Sequence, residues 1–474
     1  MNLGRPLQIA VFSAFILMPA AHATPPPLPH FPPLVFHPPK PEKFVLENGL
    51  TVFLLEDHEL PLIKVSALIR TGTQYEPPDK VGLGGIFSDA MTEGGALTHT
   101  PEEIERILDE NAATISFGMD TESGSAAMSC RAQDFSEIFG IFSDLLQHPL
   151  FRNDRLALAK AKALESLRRM NDDPEDETRR EFRIVMYGKD HPYARVPSPA
   201  TIQGVRREDL LEWHRHYYHP NAVELAISGD FQSAAMKEAL RRALGGWPKG
   251  SLELPPVAPV VPPPEPRLFY IQRAIDQSQI RIGSLGLVRH SPDHFAWEVF
   301  NELWGGSAVS ALFQTVRTRL GLAYAVGSAY SEPAERGLIV AVSQTRAPET
   351  VAAAQAILEV SENARQANFT ANQIKGAKES IENRFVENYA SSDQIASEIM
   401  SEDYFGYPPD YLDAYTGHIA AVTPADLKRV GAAYLHPDQS TVLIVGDPST
   451  FLKPLSALGK PQPLKPVDYS QGVP

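Results

Sequence analysis

The sequence predicts an α+β protein made of two duplicated α/β sandwich domains, each a sheet covered by helices. Two observations carry that expectation: part of the first half recurs in the second at one fixed offset, and each half alternates short apolar runs with longer amphipathic ones. Val205 to Asp230 reads VRREDLLEWHRHYYHPNAVELAISGD, and Val422 to Asp447 reads VTPADLKRVGAAYLHPDQSTVLIVGD. Asp209 matches Asp426, Leu210 matches Leu427, Tyr217, His219 and Pro220 match Tyr434, His436 and Pro437, and Gly229-Asp230 matches Gly446-Asp447. Each pair is 217 residues apart. So long a period belongs to a duplicated domain rather than a solenoid repeat. Each copy reads as a capped helix, a break at His-Pro where helical space is closed to the preceding residue, and then a buried apolar strand. Thr423 supplies the N-cap and Pro424 the first helical position of the second copy.

The remaining elements follow in chain order. FVLENGLTVFLLED and LPLIKVSALIRTGT predict a hairpin and its continuation, followed by a helix from near Gly82. Thr100-Pro101-Glu102-Glu103 is a capping box with proline at the first helical position, opening a helix through Leu108. ATISFGMD and SGSAAMSC read as paired strands, and Arg155 to Met170 as an amphipathic helix that stops before Asp172-Asp173-Pro174.

The ends and the joint between the halves have their own composition. Residues 1–23 combine Arg5, an apolar run from Leu7 to Met18 and the small-x-small site Ala21-His22-Ala23, the pattern of a secretory signal peptide. Residues 24–42 hold nine prolines and residues 254–266 seven, which predicts a stiff N-terminal arm and a stiff spacer. The expected organisation is a signal peptide (1–23), the Pro-rich arm (24–42), an N-terminal domain (43–253), the linker (254–266), a C-terminal domain (267–458) and a tail (459–474). No later run of apolar residues is long enough to span a membrane. A net charge of −15 opposes nucleic acid and anionic lipid surfaces as partners. The lone Cys130 excludes an internal disulfide and reads as a buried thiol on a strand.

RTGTQYEPPDKVGLGGIFSDAMTEGG, from Arg70 to Gly95, resembles the opening of the pitrilysin, or inverzincin, metallopeptidases, in which a zinc helix carries H-x-x-E-H. Gly72, Glu76, Gly82-Leu83 and Gly94 match that frame. The H-x-x-E-H positions hold Gly85-Ile86-Phe87-Ser88-Asp89, so Gly85 and Asp89 replace the imidazoles and Ser88 replaces the general base. The third ligand of the family, a Glu roughly 77 residues after the second His, falls on Ser166, with Glu165 pointing away on the same helix. Zinc needs several converging N, S or O ligands, and a serine hydroxyl is no base at neutral pH. The resemblance therefore implies a chain with no metal site of the family type and no cofactor of its own. Neither Asp89, Glu93 and His99 nor His214, His216 and His219 makes a convincing substitute, since i, i+2 histidines point to opposite sides of a helix.

ALFQTVRTRLGLAYAVGSAY, from Ala311 to Tyr330, resembles the C-terminal signature of the same family. Arg317 and Tyr324 stand at its Arg and Tyr, flanking Gly321-Leu322-Ala323. The resemblance implies that this pair hydrogen-bonds the peptide near its scissile carbonyl and stabilises developing negative charge. Residues Ala113 to Phe117 resemble the strand that aligns substrate by edge pairing, which makes Thr114, Ile115 and Ser116 candidate substrate-binding residues. Together these likenesses imply the zinc-free subunit of a heteromeric periplasmic peptidase, active with a homologous partner that carries H-x-x-E-H and zinc, the two enclosing a peptide substrate. The alternatives are a non-enzymatic peptide-binding or scaffold protein derived from a peptidase, and a self-sufficient peptidase with an atypical metal site.

Overall fold

The computed structural model describes residues 38–251, 253–262 and 267–469. The expected signal peptide, most of the arm and the end of the linker lie outside the described residues. The first half contributes strands β1 (Glu42–Val45), β2 (Thr51–Glu56), β3 (Leu62–Ile69), β4 (Thr114–Met119), β5 (Gly124–Arg131) and β6 (Val223–Gly229). Its helices are α1 (Leu83–Glu93), α2 (Pro101–Glu110), α3 (Phe135–Gln147), α4 (Asn153–Arg168), α5 (Pro174–Tyr187), α6 (Pro199–Gly204), α7 (Arg207–Tyr217) and α8 (Ser233–Leu244). The second half contributes β7 (Leu268–Gln272), β8 (Gln277–Leu285), β9 (Ala323–Tyr330), β10 (Leu338–Arg346), β11 (Thr441–Gly446) and β12 (Pro461–Pro463). Its helices are α9 (His294–Asn301), α10 (Thr350–Arg365), α11 (Ala371–Asn388), α12 (Ser392–Phe405), α13 (Tyr411–Ala421) and α14 (Pro424–Tyr434).

Two six-stranded sheets result, ordered β1-β2-β6-β3-β5-β4 and β12-β7-β11-β8-β10-β9. This is the α+β architecture that the duplication predicts. The repeated segments become α7 with β6 and α14 with β11, and each strand sits at the same interior place in its sheet. Both are apolar and buried almost throughout, so each needs a hydrogen-bonding partner on either side. That requirement changes the expected hairpin continuation: β6 inserts between β2 and β3, parallel to the first and antiparallel to the second. Thr100 closes the capping box read from the sequence, and Thr423, read as an N-cap, closes one with Asp426. Cys130 is buried on β5, where burial pushes its thiol up to about 11.

The sandwiches are not independent. α5 comes from the first half but packs on β8 and β11, while α12 comes from the second half and packs on β2, β3 and β6. Phe182 and Met186 of α5 join Phe269, Ile271, Val340, Leu443 and Val445 of the second sheet in one buried cluster. Ile395, Ala396 and Met400 of α12 join Phe53, Leu55 and Ala226 of the first. Each domain thus lends one helix to cover the open face of the other's sheet. Glu122 adds a polar tie, accepting from Tyr193 Oη at 2.7 Å, from the Ala334 amide at 2.9 Å and from Arg289.

Candidate functional site

The site is built around the N-terminus of α1. Gly82 caps the helix with φ of 100°, in the left-handed region where a side chain is strained. The buried carboxylate of Glu76 accepts the Gly84 amide at 2.7 Å and the Gly82 amide at 3.1 Å, satisfying two N–H groups that a helix start leaves open. Arg195 clamps the same turn, donating to the carbonyls of Glu76 at 2.8 Å and Gln74 at 3.1 Å. Burial raises the pKa of Glu76, opposed by the two amides and by the Arg195 charge. The frame residues of the motif therefore hold the helix itself, independently of any metal.

On that helix the ligand positions are chemically bare. Gly85 is exposed, and a Cβ there would meet nothing within 4 Å. Ser88 is buried and turned back onto its own helix, its hydroxyl donating to the Gly84 carbonyl at 3.0 Å. Asp89 is half-buried, its carboxyl raised by desolvation and by Glu93 and lowered by Lys162. Ser166 is exposed on α4, which packs against α1, and its neighbour Glu165 is engaged with Arg169 at 2.7 Å and Arg168 at 3.4 Å. One carboxylate and two hydroxyls do not make a zinc donor set. Among the described residues no group of three His, Cys, Asp or Glu side chains is placed to hold a metal. Glu93 pairs with Lys162 at 2.5 Å and His99 contacts its neighbour Thr98. His214 bonds the Leu146 carbonyl, with burial pulling it down to about 4, and buried His219 bonds Asn221. These are structural histidines.

β4 is the free edge of the first sheet, and α1 packs beside it. The amide of Phe117 turns away from β5 to bond Thr92 of α1 at 3.2 Å. Since alternate residues of an antiparallel strand face the same way, the backbone groups of Ile115 also face outward, while those of Thr114 and Ser116 face β5. Thr114 and Ser116 present exposed side chains and Ile115 a buried one. Of the three candidates, Ile115 is the one with backbone groups free to pair with an added strand.

In the second domain Arg317 lies on a π-helical turn, Phe313–Arg319, and Tyr324 is the second residue of β9, the free edge of its sheet. The intervening reversal uses Gly321 at φ of 63°. Arg317 lies over the Phe313 ring at 4.7 Å, and Tyr324 is 69% exposed. Among the described residues neither has a hydrogen-bond or ion-pair partner. A guanidinium and a phenol left unpaired are donors available to a ligand. The sequence reading missed the Arg195 clamp and the Glu122 tie, since neither lies in a motif or at a periodic position.

A family model described as insulinase, peptidase family M16, matches residues 51–194, and a second, described as the peptidase M16 inactive domain, matches residues 204–381. The chain belongs to the M16 peptidase family. Its relatives include an uncharacterized zinc protease, YmxG, of Bacillus subtilis, 22% identical over 72% of this chain and 82% of that one. An M16 inactive-domain structure from Pseudomonas fluorescens shares the fold, with a TM-score of 0.77 at 21% identity over 87% of this chain and 99% of that one. The periplasmic protease PqqL from Escherichia coli does so with 0.73 at 15% identity, over 89% of this chain and 48% of that one. Within the M16 fold, this chain combines an α1 that carries Gly85, Ser88 and Asp89 with an Arg317 and a Tyr324 that have no polar side-chain partner among the described residues.

Proposed function

We propose that this chain is the zinc-free subunit of a two-chain M16 peptidase and supplies Arg317 and Tyr324 to a homologous partner that carries H-x-x-E-H and its zinc. The carrying observation is the contrast between the two halves: α1 offers Gly85, Ser88 and Asp89 where ligands belong, while Arg317 and Tyr324 stand exposed and unpaired. Donated hydrogen bonds from the phenol and the guanidinium to a peptide carbonyl stabilise negative charge that develops on its oxygen. Ile115 on the edge of β4 extends the bound peptide by backbone pairing. The N-terminal signal pattern, together with the fold shared with a periplasmic protease, supports a periplasmic location. Among the described residues no helix is long and apolar enough to cross a membrane.

The test is reconstitution. The purified chain is expected to carry no stoichiometric zinc by elemental analysis and to cleave no peptide by itself. Mixed with an M16 chain that bears H-x-x-E-H, encoded beside it, it should generate peptidase activity absent from either alone. Stoichiometric zinc and cleavage by the isolated chain would refute the proposal, and so would a partner fully active without it.

A further inference from the structure

A cleft of about 500 Å³ opens beside the third-ligand position, and Ser166 is part of its wall. It is lined by five arginines, Arg169, Arg179, Arg180, Arg183 and Arg195, against two carboxylates, Asp173 and Asp176. This excess of positive charge sits in a chain whose net charge is −15. Three of the arginines are neutralised locally. Arg169 pairs with Glu165, Arg179 with Asp176, and Arg180 with Glu181 while also donating to the Met170 carbonyl and Asn171. Asp173 caps α5, accepting the Glu175 and Asp176 amides at 2.7 and 3.3 Å.

Arg183 and Arg195 are different. Among the described residues neither has an ion-pair partner. Arg183 spends one nitrogen on the Tyr193 carbonyl, which leaves two others. Arg195 spends both terminal nitrogens on backbone carbonyls, and its buried Nε has no acceptor. Desolvation lowers the pKa of both groups, the neighbouring Arg179 charge lowers Arg183 further, and the Glu76 charge opposes the shift at Arg195. Arg195 lies in the field of the Glu76 carboxylate and holds the turn behind the cleft, whereas the exposed Arg183 guanidinium, with two nitrogens free and no carboxylate paired to it, is suited to a planar two-oxygen anion.

We propose that this cleft binds a side-chain carboxylate of an acidic peptide, with Arg183 as its partner. The inference rests on the reading of the chain as peptide-binding and deepens it, naming acidic segments as the preferred substrate class.

The experiment uses the purified full chain and three fluorescein-labelled peptides of equal length, rich in glutamate, glutamine or lysine, followed by anisotropy. The glutamate peptide should bind about tenfold or more tightly than the glutamine peptide, the worth of one charge-assisted hydrogen bond, and the margin should shrink in salt. Arg183→Gln should erase the margin without weakening the glutamine peptide, and Arg183→Lys should keep part of it, with thermal melting checking that both fold. A margin that survives Arg183→Gln overturns the assignment. Inorganic phosphate serves as competitor against free glutamate: displacement by phosphate alone would make the cleft a phosphate site and overturn it equally. Binding without an acid preference tells against this cleft, whereas failure of all three peptides tells against the peptide-binding reading itself.

Discussion

Phe182→Ala provides the sharpest test of the exchanged helices. Phe182 lies on α5 in the first half, is 1% exposed, and packs on Phe269, Ile271, Val340, Leu443 and Val445 of the second sheet. Truncating a buried Phe to Ala costs about 3 to 5 kcal/mol, combining lost transfer energy with the cavity left behind. At 1.4 kcal/mol per factor of ten, local opening should rise by about 10² to 4 × 10³. Because the lost contacts belong to the second domain, that loosening should appear far from the substitution in sequence. Hydrogen exchange read by mass spectrometry should show lost protection in β7, β8 and β11, with β2, β3 and β6 little changed. Met400→Ala on α12 is the mirror experiment, expected to cost about 2 to 5 kcal/mol and to expose β2 and β6. If both variants loosened only the sheet of their own half, the reciprocal cover would not be what closes these sheets.

Three further outcomes are expected. Tyr324→Phe should lower the activity of the reconstituted pair by about 10² or more, as loss of one transition-state donor does, while exposure of the residue leaves the melting temperature unchanged; undiminished turnover would remove Tyr324 from the site. Glu76→Ala strands the amides of Gly82 and Gly84 and should cost about 1 to 3 kcal/mol by denaturant unfolding, with faster exchange along α1 rather than in the second domain. Glu402 is buried, and desolvation, with Glu398 and Asp413 adding like-charge repulsion, holds its carboxyl up to about 8 against an ordinary 4.5. Its protonated form is the one that fits the fold, so its contribution is complete below the ordinary carboxylate range and lost as pH rises through about 8. Glu402→Gln should therefore unfold at higher denaturant than the parent above that pH and nearly together with it at about pH 5. A parent and variant that part at acid pH instead would reverse the sign of the argument.

The histidines show how far motif reading reaches into the site. His214, His216 and His219 crowd one short segment, yet the Leu146 carbonyl and Asn221 claim the first and last. Helical geometry alone was enough to doubt them as ligands. The edge strand was less legible. Thr114, Ile115 and Ser116 are equivalent as letters, and only the bond from the Phe117 amide to Thr92 shows which backbone groups face outward. Arg183 carried no signal at all, since its importance lies in the carboxylate it lacks, and partners are a property of folded space.

By itself the sequence determined the duplication, the alternation of strands and helices, the capped starts at Thr100 and Thr423, and the chemical poverty of Gly85, Ser88 and Asp89. These rest on residue identity, local periodicity and spacing, all of which act along a few turns of chain. Only the tertiary structure decided that β6 enters between β2 and β3, that α5 and α12 cover each other's sheets, and that five arginines meet beside Ser166. An amphipathic helix specifies that an apolar face must be buried and leaves open against which sheet. The choice is made by the competition among all the faces of the chain at once.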